Sequence, residues 1–334
     1  MERNNIQTGS FSGSGRIRWS VDRWTLKWFA AVCMVVDHAT AGFMERILLF
    51  PEGKLLAMSS DTMYVIDRIG RAIGRQTFPI MAFFLVEGFY RTRSRSRYLG
   101  RLVLGALLSE RPFYLLFYTG EAGSWMTVSH NTIWTLVLGF LAVWLTDVIW
   151  GRQLPWRKEA PQDSQQDSQV KNSRAKNSQA GDLQVRGSRM RALPAGLVIS
   201  VRTLAALTLC AGIVCLAQKA GVDYGGIGVA AVLACYLFRG IPYGGPAAML
   251  VLLGCCNGLE WFALPGCLLL CCYHGDLYSD RYERKGKSRS DSAQPGDGGG
   301  RKGHIHWVRG YVFYLFYPLH LLAIWGLRVL LVGF

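Results

Sequence analysis

The sequence predicts an all-α fold, a polytopic transmembrane helix bundle of about nine spans with a range of eight to ten, and three observations carry the prediction. Apolar residues make up 51% of the 334 residues although 37 Lys and Arg are present, so the apolar positions must be gathered into blocks between charged stretches. The blocks approach the roughly 20 residues a helix needs to cross a hydrocarbon core of roughly 30 Å. The Lys and Arg residues fall in alternate connections between blocks, which is a topology signal rather than a nucleic-acid footprint, so no nucleic-acid partner is expected despite a net charge of +15.

The predicted spans cover approximately 25–44, 70–90, 101–118, 131–150, 193–217, 224–238, 244–257, 259–273 and 309–332. The sixth to eighth are short and rich in Gly and Cys, and a shorter helix is tolerated where neighbours bury it. Residues 1–24 read as a polar cytoplasmic tail without a signal-peptide core, 25–150 as a first group of four spans and 193–273 as a second. Two basic, low-complexity stretches, 151–192 and 274–308, read as disordered cytoplasmic linkers, and 309–334 as the last span. The basic connections include Arg3, Arg16, Arg18 and Arg23 in the tail and Arg91, Arg93, Arg95, Arg97 and Arg101 after the second span. Nine spans then place the N-terminus in the cytoplasm and the C-terminus outside, in a multi-pass protein of the cell (plasma or inner) membrane whose first partner is the lipid bilayer. The nine cysteines lie within apolar runs without a CxxC pair, so they read as small apolar residues and no metal is expected.

An ionisable side chain within a span costs roughly 2.5–3.5 kcal/mol on insertion scales, so each such residue asks for a reason. Asp37 and His38 stand in the outer half of the first span, in VCMVVDHATAGF. Adjacent residues differ by about 100° around a helix, so both can face the bundle without touching each other. A neutral His can take a proton from an acceptor nucleophile, and a carboxylate can orient it. Arg68, Arg71 and Arg75, at i, i+3 and i+7, form a stripe leading into the second span, and arginine suits the gripping of carboxylate or phosphate in a water-poor place. Glu110 stands near the middle of the third span before Arg111 and Pro112, and His130 with Asn131 opens the fourth, where the Asn either caps the helix or holds a ligand. Glu87, at the inner end of the second span, and Asp223 with Tyr224, at the outer start of the sixth, read as helix-end positions. In the last span, Pro318 interrupts the hydrogen-bond ladder, and Tyr317 and His320 share a face.

The blocks LKWFAAVCMVVDHATA, IGRQTFPIMAFFLVEGF, LGALLSERPF, NTIWTLVLGF, DYGGIGV and FYLFYPLHLL, in this order, resemble the TraX family of conjugal transfer membrane proteins, whose named activity is N-acetylation of F-type pilin. The resemblance implies a membrane acyltransferase that takes an acyl group, expected to be acetyl from acetyl-CoA, and delivers it to an amine or hydroxyl of a pilin-like protein or an envelope polymer at the outer side. It implies that His38, with Asp37 beside it, lies in the motif that serves as base, that Arg71 and Arg75 belong to the GRxxFP block, and that Glu110, Asn131, Asp223 and His320 are motif positions. Joined to the reading of the residues, this gives His38, Asp37, Glu110 and His320 as expected catalytic positions, Arg68, Arg71 and Arg75 as donor-binding, and Asn131, Asp223, Tyr224 and Tyr317 as acceptor-binding. Two other classes fit the residues: a transporter, because intramembrane His, Asp and Arg also line pathways, and a non-catalytic membrane partner of a secretion or conjugation assembly.

Overall fold

The computed structural model describes residues 21–45, 59–118, 129–150, 195–273 and 300–332. Among these residues all regular structure is helical, apart from the isolated backbone bridges Val21 to Tyr273 and His130 to Val222. Most of the predicted tail and the linkers over 151–192 and 274–299 lie outside the described residues.

Helix α1, Arg23–Thr40, starts at Asp22, whose Oδ2 accepts from the Trp24 amide at 2.9 Å and the Thr25 amide at 3.3 Å. The Thr25 hydroxyl donates to the same carboxylate and, with these amides, holds it below the usual carboxylate range. Beyond Thr40 the helix widens into a π segment, Ala41–Glu45.

The predicted second span, 70–90, begins in the last turn of one helix, α2 (Ser60–Gly74), and continues as a second, α3 (Thr77–Arg91). Pro79 explains the break: it has no N–H for the Arg75 carbonyl and its ring crowds that group, so the ladder stops and restarts with proline in the first turn of α3. α2 is amphipathic, with Tyr64, Val65, Ile69 and Ile73 exposed along one side. Its other side lies against the second half of α1. Gly70 and Gly74 permit this, since a Cβ on either would fall within 2.1–2.3 Å of Thr40 and Asp37 side-chain atoms.

The remaining helices are α4 (Arg95–Phe117), α5 (Thr132–Trp150), α6 (Ala195–Lys219), α7 (Gly225–Leu237), α8 (Gly244–Cys256), α9 (Leu264–Cys271, preceded by a 3-10 segment Gly258–Ala263) and α10 (Gly300–Val332). Thr132–Trp150, Ser200–Lys219 and Val312–Leu331 are each long and apolar enough to cross a membrane, whereas the helices around Gly225–Gly240, Gly244–Cys256 and Gly258–Cys271 are shorter and apolar. The architecture is therefore a helical membrane bundle with three such spans among the described residues, and about nine full spans are not established. A helix of thirteen residues such as α7 or α8 rises only about 20 Å. α10 begins at Gly300, inside the stretch predicted as linker.

α3 is the hub, touching α1, α5, α7, α8 and α9, while α10 lies along α4 and reaches α1. Its buried side chains Phe78, Ile80, Ala82, Leu85, Val86 and Phe89 form the middle of the core. Three hydroxyls within helices return to the backbone, Thr40 to Val36 O (2.6 Å), Ser109 to Gly105 O (2.6 Å) and Thr146 to Ala142 O (2.8 Å), whereas the buried Thr135 hydroxyl of α5 has no hydrogen-bond partner among the described residues. None of the nine cysteines forms a disulfide.

Charged groups gather at the two ends of the bundle. At the near end, where α1 starts, buried Glu87 receives Arg23 (2.6 Å), Arg91 (2.7 Å) and the Tyr273 hydroxyl (3.0 Å). Asp147 receives Arg95 (2.7 Å) and the Tyr236 hydroxyl (2.9 Å) there. Glu87, one turn before the end of α3, is thus a buried junction of α1, α3 and Tyr273, two residues beyond α9. At the far end, buried Arg328 of α10 donates to Leu116 O (2.6 Å), Leu115 O (3.2 Å) and Gly42 O (3.3 Å), satisfying carbonyls at the C-terminus of α4 and in the π segment.

Candidate functional site

A cavity of about 450 Å³ runs between α1, α3, α4, α5 and α10. Its near part is walled by Lys27, Phe84, Tyr98 and Phe313. Its middle is apolar, with Met34, Met81, Leu85, Leu102, Ile133 and Leu136. Its far part carries Asp37, His38, Arg71, Arg75, Thr132, Asp223, Tyr224 and Tyr317. An apolar passage with convergent polar groups at one end is the usual form of a small-molecule site.

Two separate arrangements organise the far part. The first is an ion-pair chain. Arg71 Nη1 lies 2.9 Å from Asp37 Oδ1, and Arg75 reaches the same oxygen at 3.7 Å while its Nη1 lies 2.7 Å from Glu260 Oε1. Arg75 occupies the break between α2 and α3 and so links both to the 3-10 segment before α9. Gln76 fastens the same place, donating to Phe262 O and accepting from the Gly266 amide at 2.5 Å. The Arg75 guanidinium also sits 5.9 Å from the Tyr224 ring centre, and Tyr224 stacks on Phe78 at 4.0 Å.

The second arrangement is a histidine pair. His38 Nδ1 lies 2.7 Å from His320 Nε2, and His320 Nδ1 lies 2.9 Å from the Phe316 carbonyl one turn earlier on α10. The first and last described helices are therefore neighbours at this level, a juxtaposition the sequence left open. Tyr317 packs edge-on against both imidazoles, at 5.8 Å and 5.5 Å between ring centres. Its buried hydroxyl, in the cavity wall with Thr132 and Asp223, lacks a well-formed hydrogen bond.

The predicted site residues thus divide. Asp37, His38, Arg71, Arg75, Asp223, Tyr224 and Tyr317 line one cavity, and His320 stands behind His38. Asp37 is turned to the two arginines and not to His38, as the angle between adjacent helical positions requires. Glu110 and Asn131 lie off the cavity lining. Glu110 accepts from His130 Nδ1 (2.5 Å), from the Asn131 amide and from Trp134 Nε1 (3.1 Å), which puts it level with the start of α5 rather than at mid-depth. Asn131 caps α5 through Ile133 N (3.1 Å) and donates to Ala106 O (3.0 Å), so of its two expected roles the structure displays the cap. Arg68 is exposed on α2, outside the lining. The stripe of three arginines does not persist, because the break at Arg75 redirects that side chain.

Sequence reasoning missed Lys27, Gln76, Glu260 and Arg328. Lys27 sits between Phe84 and Phe313, with Nζ 5.6 Å and 5.2 Å from their ring centres. Arg328 is an ionisable residue within a span and fell under the same rule that selected His320. Glu260 stands in NGLEW, a turn between short apolar blocks, where nothing local separates a buried carboxylate from a solvated one.

A protein of Dichelobacter nodosus named "Probable fimbrial assembly protein FimC, serogroup H1" is 30% identical over 132 residues, a match covering 35% of this chain and 43% of that protein. This chain thus spans less than half the length of that relative. No solved structure matches. The family described as "TraX protein" matches residues 22–152, the part that supplies Asp37, His38, Arg71, Arg75 and much of the apolar middle of the cavity.

Proposed function

We propose that the protein is a membrane acyltransferase that accepts an acetyl group from acetyl-CoA at the near end of the cavity and passes it to an amine or hydroxyl at the far end. The observation that carries the reading is the cavity itself: an apolar passage with a lysine and aromatic rings at one end and an imidazole flanked by arginines at the other. The near end is the cytoplasmic one in this reading, because Arg23, Arg91, Arg95 and Arg239 gather there. This puts the N-terminus in the cytoplasm. The apolar middle suits an acyl thioester arm, and Lys27 offers a positive charge to a phosphate at the mouth.

His38 accepts the proton of the attacking amine or hydroxyl, so that the new N–C or O–C bond forms as the C–S bond of the thioester breaks. The same imidazolium then returns its proton to the departing thiolate, giving the free thiol of coenzyme A. Arg71 and Arg75, held by Asp37 and Glu260, bring positive charge to the side of the cavity where the oxyanion develops. The relative's name supports a fimbrial or pilus-type protein as acceptor, with an envelope polymer as the other candidate.

The test is transfer of radiolabelled acetyl from acetyl-CoA to membrane-bound acceptor in vesicles from cells making the wild-type protein or His38→Ala. Loss of label with His38→Ala supports the reading, and equal label refutes it. The same relative's name favours one rival, a non-catalytic membrane partner in fimbrial assembly, which predicts no transfer and unchanged assembly when His38 is replaced.

A further inference from the structure

His320 does not line the cavity, yet it makes a short hydrogen bond to the one imidazole that does. The geometry fixes where the protons are. The Phe316 carbonyl has no hydrogen to give, so the 2.9 Å contact requires the proton of a neutral His320 to be on Nδ1. His320 Nε2 is then a lone pair, and the 2.7 Å contact requires His38 to carry its proton on Nδ1. The rings lie edge to edge, with planes 9° apart and centres 5.0 Å apart, so the N–H···N bond lies in both ring planes. What remains is His38 Nε2, a lone pair with no hydrogen-bond partner among the described residues, on a ring whose exposed part faces the cavity.

We infer that His320 is a positioning residue that imposes the Nδ1–H tautomer on His38 and so directs the Nε2 lone pair of His38 at the acceptor. α10 is built for the task. Pro318 removes one rung of its ladder two residues before His320, Phe316 stacks on the His320 ring at 5.1 Å and 14°, and Tyr317 braces both imidazoles from the side. No carboxylate has this role, since Asp37 and Glu110 are both committed to other partners. The arrangement is a carbonyl–His–His chain in which an imidazole orients the cavity-lining imidazole.

The inference rests on the proposed acetyl transfer for its meaning, but its first test does not. Nitrogen-15 NMR of the full-length protein in nanodiscs, with ring-labelled histidine and at a pH where both imidazoles are neutral, reads the tautomer directly. His38 is assigned by its loss in His38→Ala. The expected spectrum has a protonated Nδ1 and an unprotonated Nε2 for His38 in the wild type. His320→Gln, whose amide oxygen can accept in place of Nε2, keeps that pattern, whereas His320→Ala moves His38 toward Nε2–H. In the transfer assay with labelled acetyl-CoA, His320→Ala lowers kcat on the order of 10- to 100-fold with KM for acetyl-CoA held, and His320→Gln recovers most of it, the loss being smaller than the roughly 10²- to 10⁴-fold expected on removing the base itself. A wild-type His38 protonated at Nε2, or a His320→Ala protein with unchanged His38 tautomer, overturns the inference. The expected tautomers in a protein whose His38→Ala variant still transfers acetyl would instead overturn the proposed function and leave the His38–His320 geometry standing.

Discussion

The Arg75–Glu260 contact supports the sharpest energetic prediction. Its partners lie 2.7 Å apart with side chains 11% and 5% exposed, and Arg75 also reaches Asp37 at 3.7 Å. Removing one member of a buried pair leaves the other charged and poorly solvated, at a cost of about 3–5 kcal/mol. The two ends are not equivalent. Arg75→Gln strands Glu260 and leaves Asp37 to Arg71 alone, so it belongs at the top of that range. Glu260→Gln leaves Arg75 with Asp37 and belongs at the bottom. The double variant removes both charges and should cost less than the sum of the singles by about 1.5–3 kcal/mol, within the range measured for contacting residues. The assay is SDS titration of the purified protein in detergent micelles, followed by loss of helical signal for the wild type, both singles and the double. Additivity within about 0.5 kcal/mol, or a Glu260→Gln more damaging than Arg75→Gln, would refute the ion-pair chain as the element that joins α2, α3 and the turn before α9.

Gly74→Ala places a methyl 2.3 Å from Asp37 Cβ and Cγ, so α2 must move off α1; we expect about 1–3 kcal/mol lost in the same titration, together with weaker pairing of Asp37 and Arg71. Tyr317→Phe removes a buried hydroxyl without a well-formed hydrogen bond, so it should leave stability unchanged or slightly raised while increasing the acceptor KM, and a stability loss above about 1 kcal/mol would contradict the unbonded geometry. Arg328→Met leaves the carbonyls of Leu115, Leu116 and Gly42 short of a donor at the joint between α4, α10 and the π segment, and a loss of about 2–3 kcal/mol is expected in thermal unfolding.

The membrane character and most helices were legible because apolar blocks of span length are a property of local sequence. The second span was not: the predicted block 70–90 joined the end of α2 to α3, and only Pro79 marks the break, through a clash with a carbonyl four residues earlier. The site was half legible. Asp37, His38, Arg71, Arg75 and His320 announce themselves by the cost of charge or imidazole in an apolar run. Their partners do not: that Asp37 serves the arginines while His38 serves His320 depends on which helices meet, and 282 positions separate the two histidines. Glu110 and Asn131 show the converse. Both were expected in the site, and both bond to each other and to the start of α5, an arrangement available to any carboxylate next to a helix N-terminus.

The central claim is that His38 moves the acceptor proton at the far end of a cavity fed from the near end. Inside-out and right-side-out vesicles from cells making the full chain, each given radiolabelled acetyl-CoA, test it most directly, with His38→Ala as the paired variant and its unfolding midpoint as the folding control. The account predicts acid-precipitable label in inside-out vesicles alone, reduced about 10²-fold or more in a folded His38→Ala protein. Equal label from the two vesicle orientations, or undiminished label with His38→Ala, would contradict it.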